Sequence, residues 1–125
     1  MSPIEKRKYA EEHLVSPDFA EKTTPSALIT NEELGIYIMV LEEDHIRIQC
    51  ILPGLDIEEA YRRASMADEL IDNAMNYAYS EKLGYLTHCP TNLGTGMRAS
   101  VMLFLPSWTN AGGIRSLQNQ LGKIG

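Results

Sequence analysis

The sequence lacks the features that mark several classes of protein. It has no apolar run near the ~20 residues that a membrane-spanning helix needs, and its charged residues 5–8 are not followed by the apolar stretch of a signal peptide. Cysteine is scarce, since Cys50 and Cys89 make neither a disulfide framework nor, by themselves, a zinc site. We therefore expect a cytoplasmic protein with no membrane partner.

Positive charge is also in short supply. The chain has 11 Lys and Arg residues against 17 Asp and Glu residues, a formal net charge of −6. Binding to a phosphate backbone requires a positive surface, so the composition argues against a general nucleic-acid binder. A polyanionic ligand would need a local group of arginines. With 44% hydrophobic residues among 125, the chain is too apolar for disorder and has the size of one domain.

The hydrophobic pattern predicts an α+β fold, in which an antiparallel sheet is flanked by helices. Three short strands are expected over residues 27–30, 36–41 and 45–52, with spacings that suit antiparallel hairpins. The middle strand is apolar on both faces and is therefore placed inside the sheet. A fourth strand is expected over residues 99–105, where Pro106 ends it.

Helices are expected at both ends of the chain and in its middle. Residues 3–14 are rich in helix formers, whereas residues 18–26 have the composition of a loop. Asp56 opens the strongest helix, with apolar residues at i, i+3, i+4 spacing and a stop at Gly84. If continuous, this helix would be about 40 Å long. Glycines weaken the predicted helix beyond Asn110.

The first candidate functional segment is an acidic turn. Glu42, Glu43 and Asp44 are adjacent and repel one another, and they replace the glycine or asparagine that such turns prefer. A solvated acidic turn would account for them, and so would a site for a cation, either a metal or a guanidinium. Arg47 lies on the polar face of the next strand, where it shares a surface with the acids or forms a cross-strand ion pair.

The second candidate segment is the loop over residues 89–98, which contains small and hydrogen-bonding residues and ends in Arg98. Such a loop can direct backbone N–H groups at an anion, although loop glycines more often serve as turn residues. Its spacing matches neither a P-loop nor a dinucleotide fingerprint. Cys89 is either an activated thiolate or an inert thiol.

These two segments carry a resemblance to a known family. The first reads Leu41-Glu42-Glu43-Asp44-His45-Ile46-Arg47, and the second reads Cys89-Pro90-Thr91-Asn92-Leu93-Gly94-Thr95-Gly96-Met97-Arg98-Ala99-Ser100-Val101. Together they resemble the central motifs of the ATP:guanidino phosphotransferases, which include creatine and arginine kinases. They are most similar to the bacterial branch that phosphorylates arginine side chains in proteins. The resemblance implies part of the glutamine-synthetase-like catalytic domain of these phosphagen kinases.

The resemblance also implies roles for individual residues. Glu43 matches the carboxylate that orients the guanidinium and assists its deprotonation, and Cys89 matches the cysteine whose thiolate lies beside it. Glu42 and Asp44 match acidic neighbours that help to organise magnesium. The positions expected to bind the nucleotide are His13, Arg47, Arg98, Ala99, Ser100, Val101 and Met102. ATP and Mg²⁺ are the implied cofactors, and no residue is assigned as a direct metal ligand.

The sequence departs from the family in two respects. Leu41 stands where the family usually has asparagine, which should matter little for catalysis but should shift the hairpin geometry. Residues 1–125 are expected to be a central fragment of the catalytic domain, because family segments that carry further phosphate-binding arginines are not found. We expect negligible turnover by the isolated chain, and self-association through its uncovered apolar surface.

The implied function is transfer of the ATP γ-phosphoryl group to arginine side chains of proteins. Two alternatives stay open: a kinase of free arginine or another small guanidino compound, and a non-catalytic arginine- or phosphoarginine-binding module. The same branch implies three partners, which are a zinc-binding activator, a heat-shock repressor and a Clp-type unfoldase.

Overall fold

A three-stranded antiparallel sheet organises the structure, a computed structural model that describes residues 1–123. The strands are β1 (Ala27–Asn31), β2 (Ile36–Val40) and β3 (Ile46–Cys50), in the order β1-β2-β3. All three predicted strands are confirmed, with their ends moved by one or two residues. The doubly apolar β2 is the central strand, as its composition predicts.

Helices and a second, smaller ladder complete the fold, which confirms the α+β class. The helices are α1 (Pro3–Glu11), α2 (Pro17–Glu21), α3 (Ile57–Asp72), α4 (Pro106–Asn110) and α5 (Ile114–Leu121), and the ladder pairs β4 (Tyr79–Ser80) with β5 (Gly84–Tyr85). A single 3₁₀ turn is formed at Pro90–Asn92 within the described residues. In the part of the chain that the structure describes, no helix is long and apolar enough to cross a membrane.

The main core lies between the sheet and the chain that enters it. Met39 of β2 is fully buried against Val15 and Phe19. Partly buried apolar residues surround these three: Tyr9, Ala10, Ala20 and Leu28. The first two helices therefore cover the Met39 face of the sheet.

The prediction of a loop over residues 18–26 is wrong for its first part, because α2 forms there. The Ser16 hydroxyl accepts a hydrogen bond from the Phe19 N–H at 3.0 Å, and Pro17 occupies the first helical turn. Serine as N-cap followed by proline is a helix start. The Ser16-Pro17 pair thus begins a second helix, which delivers Phe19 to the core, whereas α1 already ends at Glu11 and not at the predicted residue 14.

The long central helix begins as predicted but is shorter than expected. Asp56 caps α3 by accepting the Glu59 N–H at 3.2 Å, and the helix packs against β3. It ends at Asp72, so the predicted length of about 40 Å is wrong. Beyond it, the rings of Tyr77 and Tyr79 both pack edge-on against Tyr85. These aromatic contacts outweigh the amphipathic pattern that suggested a continuous helix.

The predicted strand over residues 99–105 is also wrong. The segment forms no ladder in the described structure, and Met102, Leu103 and Phe104 are 72%, 66% and 91% exposed. A strand is defined by pairing, and its backbone groups need a neighbouring strand or water. The apolar, β-prone sequence is present here, but no described strand lies beside it.

The turn between β2 and β3 contains a backbone conformation that its sequence disfavours. Leu41 directly follows β2 with a φ of 58°, and its N–H closes the turn by donating to the carbonyl of His45 at 2.8 Å. Most residues other than glycine avoid this left-handed region, but asparagine adopts it more readily than the others do. The asparagine that the resemblance leads us to expect at this position would suit the left-handed conformation of the turn.

We predict that Leu41→Asn stabilises the chain by about 0.5–1 kcal/mol, because asparagine relieves the left-handed strain. Leu41 is 42% exposed, so little burial is lost. Denaturant midpoints of the variant and the parent chain measure the effect. The matched control is Leu55→Asn, at an exposed position without positive φ, which should change stability by less than about 0.5 kcal/mol. Equal midpoints for the two variants would contradict the prediction.

Candidate functional site

The acidic turn (residues 42–44) is the centre of the candidate site, and Glu42 is its buried member. The Glu42 side chain is 7% exposed and lies 3.5 Å from an Arg47 Nη. Its Oε1 accepts the Ser16 hydroxyl at 2.5 Å, and its Oε2 accepts the Glu43 N–H at 2.9 Å. A carboxylate with so little contact with water requires such partners. Glu42 therefore ties the turn to the start of α2 and to β3.

Lys22 adds a second link between α2 and the turn. Its ammonium group donates to the carbonyls of Leu41 and Glu42, the latter at 2.6 Å. The positive charge of Lys22 is thus placed beside the backbone of a turn that carries three carboxylates. It reduces the repulsion that the sequence predicts among them.

The electrostatic environment of Glu42 favours its charged form. Burial by itself would raise the pKa of this carboxyl group. The hydrogen bonds from the Ser16 hydroxyl and the Glu43 amide, with the charge of Arg47, outweigh burial and hold its pKa below the ordinary 4.5. Glu42 is therefore a charged anchor at neutral pH.

Asp44 makes the contact between the acidic turn and the second segment of interest, the Cys89 loop (residues 87–92). Its Oδ1 accepts the His88 N–H at 2.6 Å, and its Oδ2 accepts the Asn92 amide at 2.9 Å. The same Asn92 amide lies 3.4 Å from Oε2 of Glu43. The fold thus brings together two segments that are more than forty residues apart, as the resemblance led us to expect.

The Cys89 thiol is held within its own loop. Its Sγ lies 3.0 Å from the Thr91 hydroxyl, and the Thr87 hydroxyl donates to the Cys89 carbonyl at 2.7 Å. The thiol is free and half-buried. Local bonds thus order the thiol on a loop that Asp44 holds against the acidic turn.

Glu43 differs from both neighbouring acids. It is exposed, and its Oε1 has no hydrogen-bond partner among the described residues. Glu42 and Asp44 each use both oxygens. Glu43 is therefore the carboxylate of the turn that is available to a ligand.

The residues that the resemblance assigns to nucleotide binding are less closely grouped than the acidic turn and the Cys89 loop. Arg47 is paired with Glu42, whereas His13 is exposed at the end of α1, where its carbonyl accepts the Gln49 amide at 3.0 Å. Arg98 is exposed and makes no hydrogen bond or ion pair to other described residues, and residues 99–102 are exposed beside it. The roles assigned to these positions stay predictions.

Two cavities of about 410 and 370 Å³ are found on the described surface. The first is lined by residues around Lys6 and Lys22, and the second by residues around Glu33 and Arg63. Neither is lined by Glu43, Cys89 or Arg98, so these two cavities lie away from the candidate site. No described group of three His, Cys, Asp or Glu side chains has the arrangement of a metal site.

Three residues that build the site were not expected from the sequence. Ser16 and Lys22 fix Glu42, and Asn92 bridges the acids to the Cys89 loop. Ser16 could have been recognised as a helix N-cap from the following proline. Asn92 lies inside the second motif, whereas Lys22 carries no sequence signal that separates it from other surface lysines.

We predict that the stabilising effect of Glu42 depends on pH. Because its pKa in the folded state is depressed below 4.5, its contribution is fully present above that pH and is lost as the pH falls through the folded value. Glu42→Gln should therefore cost about 1–3 kcal/mol near pH 7 and less near pH 3. Urea denaturation at both pH values measures this difference.

The matched control is Glu33→Gln in the exposed turn between β1 and β2. It should change stability by less than about 0.5 kcal/mol at either pH. A Glu42→Gln cost that stays constant between the two pH values would contradict the anchoring role of the charge.

Comparison with known proteins extends over the whole chain. The family model for the ATP:guanido phosphotransferase C-terminal catalytic domain matches residues 1–125. A protein-arginine kinase of Caldanaerobacter subterraneus subsp. tengcongensis is 46% identical over 125 residues, which are 100% of this chain and 37% of that relative. A protein-arginine kinase of Geobacillus sp. (strain WCH70) is 55% identical over 107 residues, 86% of this chain and 30% of that relative.

The chain spans about a third of the length of these relatives. A third protein-arginine kinase, from Brevibacillus brevis, is 44% identical over 125 residues, 35% of its own length. The resemblance stated from the two motifs is thereby confirmed at the level of the family. This chain belongs to the ATP:guanido phosphotransferase family, in which it matches the C-terminal catalytic domain.

Proposed function

We propose that this chain provides the guanidinium-binding surface, and part of the nucleotide-binding surface, of a kinase that transfers the γ-phosphoryl group of ATP to arginine side chains of proteins. One observation carries the proposal: of three adjacent carboxylates, Glu43 alone is exposed and has a free oxygen among the described residues. The other two acids use both of their oxygens in hydrogen bonds, whereas Glu43 shares only Oε2 with the Asn92 amide and keeps Oε1 free among the described residues.

Guanidinium chemistry suits a carboxylate in this position. An arginine guanidinium has a pKa above ~12, so its nitrogen is a poor nucleophile until a proton leaves. Glu43 would accept hydrogen bonds from the guanidinium and take up that proton while the nitrogen attacks the γ-phosphorus. A P–N bond forms, the bond from the γ-phosphorus to the bridging oxygen breaks, and ADP leaves.

The Cys89 loop would border the same substrate. A half-buried thiol lies on a loop that is bonded to the acidic turn, so a guanidinium at Glu43 would be near it. A thiolate there would add a second negative group and would help to orient the planar cation. Both groups act on the substrate cation and leave phosphate binding to the arginines.

Arg47 and Arg98, with His13 and residues 99–102, are our proposed contacts to ATP. Phosphoryl transfer needs alignment and charge neutralisation, which arginines and Mg²⁺ supply. Mg²⁺ usually keeps water and binds through phosphates and one or two carboxylates, so the nucleotide itself would supply most of its ligands. The assignment of Glu42 and Asp44 to magnesium stays a prediction, and both carboxylates already accept hydrogen bonds.

Protein-borne arginine is the substrate that we favour, because the relatives described above are named protein-arginine kinases. An exposed carboxylate on a turn is also accessible to a side chain that another protein presents. A cytoplasmic location, a zinc-binding activator, a heat-shock repressor and a Clp-type unfoldase belong to the same proposal. The two free thiols are compatible with such a reducing compartment.

A chimera tests the proposal with the residues of this chain. The matching 125-residue segment of the Caldanaerobacter relative is replaced by this chain, and phosphoarginine formation on an arginine-rich protein is measured. We predict activity for the chimera and a loss of about 10²- to 10⁴-fold in kcat for its Glu43→Gln variant, because a general base contributes that much. Glu33→Gln, an exposed acid outside the site, is the matched control and should retain activity.

Equal activity of the Glu43→Gln and Glu33→Gln chimeras would exclude Glu43 as the base. Free arginine is offered in parallel with the protein substrate. Faster phosphorylation of free arginine would favour the small-molecule alternative. Binding of arginine without phosphoryl transfer, in a chimera whose parent enzyme is active, would favour the binding-module alternative.

A further inference from the structure

Cys89 lies between two residues that are both bonded to the same carboxylate. On its N-terminal side the His88 N–H donates to Asp44 at 2.6 Å, and three residues after Cys89 the Asn92 amide donates to Asp44 at 2.9 Å. The short segment that carries the thiol is therefore fixed at both ends. We call these two hydrogen bonds the Asp44 bridge.

The Asp44 bridge is the main polar link between the Cys89 loop and the sheet. Among the described residues, one other side-chain hydrogen bond joins the Cys89 loop to the acidic turn between β2 and β3. It runs from the Asn92 amide to Glu43 and, at 3.4 Å, is longer than both bonds of the Asp44 bridge. A carboxylate that accepts two N–H donors makes charge-assisted bonds, which are shorter and stronger than neutral ones. Loss of Asp44 or Asn92 would therefore release the loop.

Asn92 also connects the two proposed substrate-binding groups. Its amide has two hydrogens and lies within reach of both Asp44 Oδ2 and Glu43 Oε2. This contact occupies one oxygen of Glu43 and leaves Oε1 open. The same side chain thus orients the Glu43 carboxylate and holds the loop that carries the thiol.

We propose that Asp44 and Asn92 are positioning residues, which fix the Cys89 thiol relative to the Glu43 carboxylate. The inference rests on the proposed function for its catalytic meaning, but the bridge itself can be tested without any kinase activity. It gives Asp44 a task other than organising magnesium. A displacement near 1 Å at such a site can cost about 10²-fold in rate, so the bridge matters to a reaction that depends on alignment.

Alkylation of Cys89 by iodoacetamide in this chain, without nucleotide, tests the bridge directly. Asp44→Leu and Asn92→Leu should each accelerate the reaction about tenfold, because the half-buried thiol is released with its loop. Asp44→Asn removes the same charge but keeps an acceptor for His88 and a partner for Asn92. It should give a clearly smaller change, which separates the effect of the bonds from that of the charge.

Two controls are available in the same chain. Thr95→Val removes a polar group from the chain that follows the Cys89 loop, and should leave the Cys89 rate unchanged. Among the described residues, the only hydrogen bond of the Thr95 hydroxyl is the one that it accepts from the Met97 N–H. Cys50 of β3, followed in the same digest by mass spectrometry, should keep its rate in every variant and so reports an intact sheet. The Asp44→Leu/Asn92→Leu double variant should be no faster than either single variant, because the two residues act as one unit.

Activity of the chimera supplies an independent second readout. Asp44→Leu and Asn92→Leu should lower kcat about 10²-fold with the KM for ATP unchanged, and Asp44→Asn should lose less. Equal Cys89 alkylation rates in Asp44→Leu, Asn92→Leu and Thr95→Val would overturn the positioning role. An inactive chimera that still shows the expected alkylation pattern would contradict the kinase proposal but would support the Asp44 bridge.

Discussion

The candidate site depends on the hydrogen bonds and the ion pair that hold the Glu42 carboxylate in the interior of the turn. Three adjacent acids on a tight turn repel one another, and the fold separates them by giving each a different environment. Glu42 turns inward to Ser16 and Arg47, and its charge is retained because these partners outweigh the cost of burial. Without this anchor, the turn would be joined to the end of α2 by the Lys22 hydrogen bonds alone among the described contacts, and its link to the α2 N-cap beside Phe19 would be lost.

The division of the three acids explains how a turn of identical charges can present one functional group. Glu42 is engaged by the sheet and α2, and Asp44 is engaged by the Cys89 loop. Glu43 remains, exposed and held between two fixed neighbours. The negative field of the whole turn attracts a cation, but hydrogen-bond geometry decides which oxygen meets it.

The sheet could be predicted from the sequence because its information is local. The doubly apolar segment over residues 36–41, flanked by two hairpin turns, specifies a central strand whatever lies elsewhere. The end of α3 could not be predicted, because it depends on the contacts of Tyr77 and Tyr79 with Tyr85, which the amphipathic pattern does not contain. The strand predicted over residues 99–105 is wrong for a related reason. A segment with high β propensity forms a strand only where a neighbouring strand can pair with it.

The residues of the candidate site could be predicted from the two motifs, but their arrangement in space could not. The resemblance implied that Glu43 and Cys89 lie near one another, and the structure joins their two segments through the hydrogen bonds of Asp44 to His88 and Asn92. The division of labour among the three carboxylates could not be predicted, since it depends on Ser16 and Lys22, which lie more than fifteen residues before the turn.

Arg47 shows how the same hydrogen bonds and charges limit the nucleotide contacts that we propose. A guanidinium beside a buried carboxylate is already neutralised, so phosphate must compete with Glu42 for it, whereas the exposed Arg98 has no such competitor among the described residues. A phosphate group would therefore gain less binding free energy from Arg47 than from Arg98. An anionic nucleotide that approaches an acidic turn needs at least one cation that the turn has not claimed, and Arg98 is the residue in the motif that meets this requirement.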